Sequence, residues 1–148
     1  MARPSFTITS PLTAQDAFTK LVDLERVTEW DEGVRSAVRI GSASPAVLGS
    51  RFDVTVTGFD GAPTSVVYEI TEVDEPARFV MIGENEQFRA ADTLVLTPTD
   101  DGCELDYEGS LELLGDSPPL TPTQLDSMFP KLAAVAEAGL RRFLDSPG

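Results

Sequence analysis

The chain has 148 residues, enough for one domain that buries about 70% of its unfolded surface with no metal or disulfide to staple it. Its 25 acids against 11 lysines and arginines leave a net charge of -14, which argues against nucleic acid and anionic membrane surfaces as partners. With no histidine and one cysteine, the usual neutral-pH proton shuttle, the commonest metal ligand and any internal disulfide are missing.

These bounds predict a single domain over residues 1–148 in a reducing, cytoplasmic setting, monomeric or homodimeric, with neither metal nor cofactor. No N-terminal apolar run resembles a signal peptide and no stretch approaches membrane-spanning length, so no membrane insertion is expected.

In chain order, Phe6 and Ile8 between threonines predict a first strand, ended by Ser10-Pro11. Thr13 is placed to cap a short helix carrying Ala17, Phe18, Leu21 and Val22, with Asp16 in its first turn. A second short helix over about Leu24 to Glu29 delivers Trp30, before Asp31-Glu32-Gly33 turns the chain.

The hydrophobic period then changes from near 3.6 to 2, and the alternation assigns inward faces. Val34, Ser36, Val38 and Ile40 are expected inside, with Arg35 and Arg39 outside. Phe52, Val54 and Val56 point inward, then a turn at Asp60-Gly61 leads to Val66, Tyr68 and Ile70. In the stretch from Arg78 to Gly83 both parities are apolar. Phe88, Ala90, Asp92, Leu94 and Leu96 share the next inner face. Leu105, Tyr107, Gly109, Leu111 and Leu113 form the last, alternating with Glu104, Asp106, Glu108, Ser110 and Glu112.

From Thr121 to Asp145 a helical stripe follows: Leu125, Met128, Phe129, Leu132, Val135, Ala136, Leu140 and Phe143. So wide a stripe calls for burial against the sheet. Thr121-Pro122 suits a helix start, and Pro130 predicts a kink or break, with Met128 and Phe129 at one rim.

The run Thr13 to Gly33 with Ala17, Phe18, Asp23 and Trp30-Asp31 resembles the first segment of the START-related helix-grip superfamily (SRPBCC), nearest its polyketide cyclase/dehydrase and lipid-transport branch. So do Gly49-Ser50-Arg51-Phe52, Tyr68-Glu69-Ile70 leading to Pro76-Ala77-Arg78-Phe79, and Gly102 with Leu105 and Tyr107. The resemblance spans nearly the whole chain. It implies an α+β helix-grip fold: a seven-stranded curved antiparallel sheet around a long C-terminal helix, with a cavity between them that takes apolar ligands. It places Trp30 at the cavity entrance, as a lid or as a packing anchor for the short helices.

Asp92 is the one carboxylate among inward leucines and suits a general acid or base, unless it sits solvated at a cavity mouth. Tyr68 and Tyr107 offer hydroxyls to a ligand carbonyl or serve as amphipathic core residues; Ser36 is a weaker polar candidate. Met81 and Met128 would give a pliable lining or ordinary core filling. Register arithmetic sets Asp92 opposite Gly109 or Leu111. A turn at Glu84 to Gln87 would pair Phe88 with Gly83 and Asp92 with Phe79, which turns Phe79 and Met81 inward. Tyr68 then falls opposite Gly83, two strands across and four residues along from Asp92.

The leading expectation is a module that binds a small hydrophobic or aromatic molecule, lipid- or polyketide-like, against a lining of Trp30, Ser36, Val38, Phe52, Val54, Tyr68, Ile70, Phe79, Met81, Phe88, Gly109, Met128, Leu132 and Ala136. The alternative is a cyclase or dehydratase in which Asp92 moves a proton and Tyr107 hydrogen-bonds the developing enolate. A third reading is a domain that docks a protein partner through the outward acids of the last strand.

Overall fold

The structure is a computed structural model that describes residues 5–41, 47–58, 61–115 and 121–145. Asp60 of the expected turn and the side chain of Phe129 lie outside the described residues. Strand β1 (Ser5–Ser10) is followed by helix α1 (Ala14–Val22) and a 3-10 helix (Leu24–Glu29). Then come β2 (Val34–Arg39), β3 (Arg51–Thr57), β4 (Pro63–Asp74), β5 (Arg78–Glu84), β6 (Phe88–Thr99), β7 (Gly102–Leu113) and helix α2 (Pro122–Phe143). The strands form one antiparallel sheet in the order β1-β7-β6-β5-β4-β3-β2. Among the described residues no helix is long and apolar enough to cross a membrane.

Local chemistry sets the helix ends. The Thr13 hydroxyl accepts the Asp16 amide at 3.1 Å, which starts α1. Thr121 and Gln124 make a reciprocal capping box at the start of α2. Contrary to the expected break, α2 runs on through Pro130 as one helix. Pro130 and Asp126 both lie on its exposed side, so the Asp126 carbonyl that loses its helical donor can be solvated instead of orphaned.

A β-bulge corrects the inward assignments on one strand. On β2 the pairing shifts between Val34 and Ser36, leaving Arg35 as the extra residue. Parity reverses beyond it. Ser36 and Val38 therefore face outward, Val38 with 59% of its surface exposed, and Ile40 is exposed as well. Ala37 and Arg39 take the inner positions, and the Arg39 guanidinium lies 4.8 Å over the Phe52 ring. A second shift, between Ile70 and Glu72, brings both Ile70 and Val73 to the core.

The main core joins the inner faces of β1 and β3–β7 to α1, the 3-10 helix and the C-terminal end of α2. That end of α2 is locked. The Ser10 hydroxyl donates to the Leu144 carbonyl, and the buried Lys20 ammonium donates to the Phe143 carbonyl while lying over the Phe143 ring. A cation suits the negative end of the helix. A smaller cluster of Val66, Phe88, Ala90, Leu111 and Leu125 holds the other end.

Candidate functional site

Between these two clusters α2 stands away from the sheet. Leu132, Ala136 and Phe143 follow Leu125 by about two, three and five helical turns, so all four point the same way. Leu125 and Phe143 are 2% and 6% exposed, yet Leu132, on the same face, is 45% exposed. The stripe is thus not buried along its length: it packs at both ends and faces open space in the middle. Met128 and Ala136 border that stretch, half-buried, and Val135 beside them is exposed.

The sheet opposite carries the polar groups. Asp92 pairs with Gly109, the first of the two expected registers, and Tyr107 is the diagonal neighbour. A Cβ on Gly109 would sit 2.9 Å from Asp92 Oδ1 and 3.2 Å from Tyr107 Cε1, so the carboxyl and the phenol ring share the space that the missing side chain leaves. The other side of the Tyr107 ring stacks on Phe6, centroids 4.8 Å apart and nearly parallel. Thus held, the phenol is placed to hydrogen-bond the Asp92 carboxyl and pull its titration downward.

On the other flank Asp92 pairs with Met81, not Phe79. The turn lies one residue later than expected, at Asn85 to Phe88, where the Asn85 side chain accepts the Gln87 and Phe88 amides at 2.8 and 2.9 Å. That displacement moves the ladder by two and leaves its parity intact. Tyr68 does pair with Gly83, and its ring lies flat over that glycine, where a Cβ would meet Cζ at 2.5 Å. Gly83 now pairs with Ala90, which puts Tyr68 two residues along from Asp92, not four. Standard spacings give about 12 Å between the two Cα atoms, a gap that two inward-leaning side chains narrow.

Asp31 completes the group. It follows the 3-10 helix, accepts the Gly33 amide at 2.9 Å, and its charge acts on Asp92, Tyr68 and Tyr107 alike. Burial pushes the Asp92 carboxyl up to about 7 against a pull downward from the Tyr107 hydrogen bond. Burial likewise raises Asp31 and moves both phenols above their ordinary value. All four side chains are nevertheless only part-buried by surface area. They are surrounded by protein but not sealed by it.

The remaining expected residues divide. Phe52, Val54, Ile70, Phe79 and Met81 are buried on the inner face around the four polar groups, and Phe88 is buried in the smaller cluster. Trp30 is 4% exposed in the main core, with its carbonyl against Gly139 of α2, so it anchors packing and is no exposed lid. Ser36 and Val38 face away from the site. Sequence reasoning paired Asp31 with Trp30 at an entrance but gave it no role; it also set Arg39 outside. Among the described residues no cluster of three metal-ligating side chains occurs. An open depression of about 860 Å³ lies elsewhere, on the outer sheet face, lined by Arg51, Glu69, Glu84 and Arg89 among others. Its ion pairs, Arg51 with Glu69 at 3.6 Å and Arg89 with Glu84 at 3.7 Å, are exposed and contribute little.

Residues 1–145 match the family model described as polyketide cyclase / dehydrase and lipid transport. The chain belongs to this family. Solved structures agree on the fold. A START superfamily protein from Mycobacterium smegmatis superposes with a TM-score of 0.76 at 9% identity, over 97% of this chain and 95% of that one. A conserved protein from Geobacillus kaustophilus gives 0.71 at 17%, over 96% and 93%. The di-domain ARO/CYC StfQ from the steffimycin biosynthetic pathway gives 0.72 at 15%, covering 97% of this chain and 49% of that one. No curated protein matches the sequence. Family membership thus accounts for the helix-grip architecture and leaves the ligand open.

Proposed function

We propose that this family member binds a small hydrophobic or aromatic molecule, lipid- or polyketide-like, in a cavity between α2 and the sheet. The observation that carries the reading is Leu132, an apolar side chain on the inward line of α2 that is left 45% exposed. An apolar ligand would cover it. Met128 and Ala136 border the apolar end beside Leu132, while Asp31, Tyr68, Asp92 and Tyr107, all part-buried, orient one polar end. Titration with a long-chain lipid and with an aromatic polyketide, read by calorimetry, tests it. Saturable binding of either is expected, and Leu132→Trp, which fills the space, should abolish it. Failure of both to bind the unsubstituted protein overturns the reading.

A second reading has its own support. A carboxyl near 7 with a phenol on it is matched to proton transfer at neutral pH. In this reading Asp92 removes a proton alpha to a ligand carbonyl and Tyr107 donates to the developing enolate oxygen, as in a cyclase or dehydratase. Asp92→Asn would then abolish turnover while binding persists; unchanged turnover would remove Asp92 from the reaction.

A further inference from the structure

The four polar groups of the site are all acids or phenols, and among the described residues no positive charge answers them. Among the described residues, the charge that acts on Asp92 is that of another acid, Asp31. The inward or buried cations are engaged elsewhere: Lys20 at the Phe143 carbonyl and ring, Arg39 on the Phe52 ring and the Ser50 hydroxyl. Nor does α2 supply one. Of its charged groups near the open stretch, Glu137 pairs outward with Arg141 at 2.8 Å and Lys131 is exposed. Among the described residues the Tyr68 hydroxyl has no protein partner, although its ring is fixed over Gly83 and it shares the field of Asp31 and Asp92.

Charges left unanswered in a protein-walled space are strongly unfavourable, and protonation or a bound counter-ion relieves them. The open stretch beside Leu132 gives a counter-ion room to arrive on an apolar body. An anionic lipid headgroup, by contrast, would meet two carboxyls and be repelled.

We infer that the ligand is a hydrophobic amine, whose ammonium sits between Asp92 and Asp31 with the Tyr68 and Tyr107 hydroxyls beside it. This rests on the proposed cavity and specifies what its polar end takes. The ammonium brings charge-assisted hydrogen bonds that a neutral hydroxyl does not.

Three probes sharing one body separate the possibilities: 2-(2-naphthyl)ethylamine, 2-(2-naphthyl)ethanol and 2-naphthylacetate, titrated at pH 8.0 and pH 5.5. At pH 8.0 the amine is expected to bind at least tenfold tighter than the alcohol, with the acid weakest. Alkyl ammonium groups stay charged at both values. Protonation of Asp92, which titrates about 7 with Asp31, Tyr68, Tyr107 and Met81 as its neighbours, should therefore erase most of the preference at pH 5.5. Asp92→Asn should bring the amine down to the level of the alcohol, with an unchanged circular dichroism spectrum reporting a folded protein. Asp31→Asn should reduce the preference in part. Alcohol or acid binding as tightly as the amine overturns the assignment and leaves the cavity standing. If none of the three binds, the amine assignment falls, and the cavity stands or falls by the lipid and polyketide titrations.

Discussion

Burial holds the Asp92 carboxyl protonated to about 7, whereas in an unfolded chain it ionises near 3.9. Between those values unfolding releases a proton, so this residue makes stability fall as pH rises from about 4 to about 7; above 7 the loss is complete, and below 4 it vanishes. Asp92→Asn does not titrate and should flatten that slope. At pH 8 it should be the more stable protein, by on the order of 4 kcal/mol, measured by denaturant unfolding across the range. A substitution that leaves the pH profile unchanged would show that the carboxyl is better solvated than its surroundings indicate. Gly109 makes a complementary case. Adding one methyl there intrudes on both Asp92 Oδ1 and the Tyr107 ring, so Gly109→Ala should cost about 1–3 kcal/mol and weaken ligand binding more than it weakens the fold. The placement of this pair was legible in the sequence: an acid among leucines, a glycine opposite and a tyrosine two residues before it all follow from alternation. Asp31 was not given a role because a turn residue has no periodicity to show which way it points.

At the scale of elements, α2 is two contacts joined by an open span. Leu140→Ala, at the buried end, should destabilise by about 2–5 kcal/mol, whereas Leu132→Ala removes a side chain with little packing to lose and should cost under about 1 kcal/mol. Equal losses from the two would contradict the gap. Gly139 sets helix propensity against packing. In an ordinary helix Gly→Ala gains about 1 kcal/mol. Here the new Cβ would lie 1.7 Å from the Trp30 carbonyl oxygen, and backbone against backbone has no rotamer to escape into. Gly139→Ala is therefore expected to destabilise, by about 3 kcal/mol, with Trp30 fluorescence reporting the shift. Helix existence and strand parity were readable because both are written in side-chain spacing. The bulge at Arg35 was not, since an extra backbone residue has no side-chain signature of its own. It turned Ser36 and Val38 out and Arg39 in. The continuity of α2 through Pro130 was missed for a related reason: whether a freed carbonyl can be solvated depends on which side of the finished helix it faces.

For the molecule as a whole, 25 acids against 11 bases mean that the folded chain repels itself. Apart from the two-pronged Arg26-Glu29 pair, its described ion pairs are exposed contacts such as Arg78 with Glu72 at 3.0 Å, each worth little. Screening should therefore relieve more repulsion than it removes attraction. Raising salt from 10 to 300 mM is expected to raise Tm by a few degrees. A fall in Tm would assign the surface pairs a larger part than their exposure allows.

The lock between β1 and the end of α2 also has a consequence for how the protein is made. Ser10 closes on Leu144 across 134 positions of sequence, and among the described residues β1 pairs with β7 alone. On the ribosome the first strand must therefore wait, unpaired, until nearly all of the chain has been synthesised, and the last turn of the final helix completes what the first ten residues began. Contacts this distant form late and slowly, so a nascent chain carries its first strand edge open through most of translation.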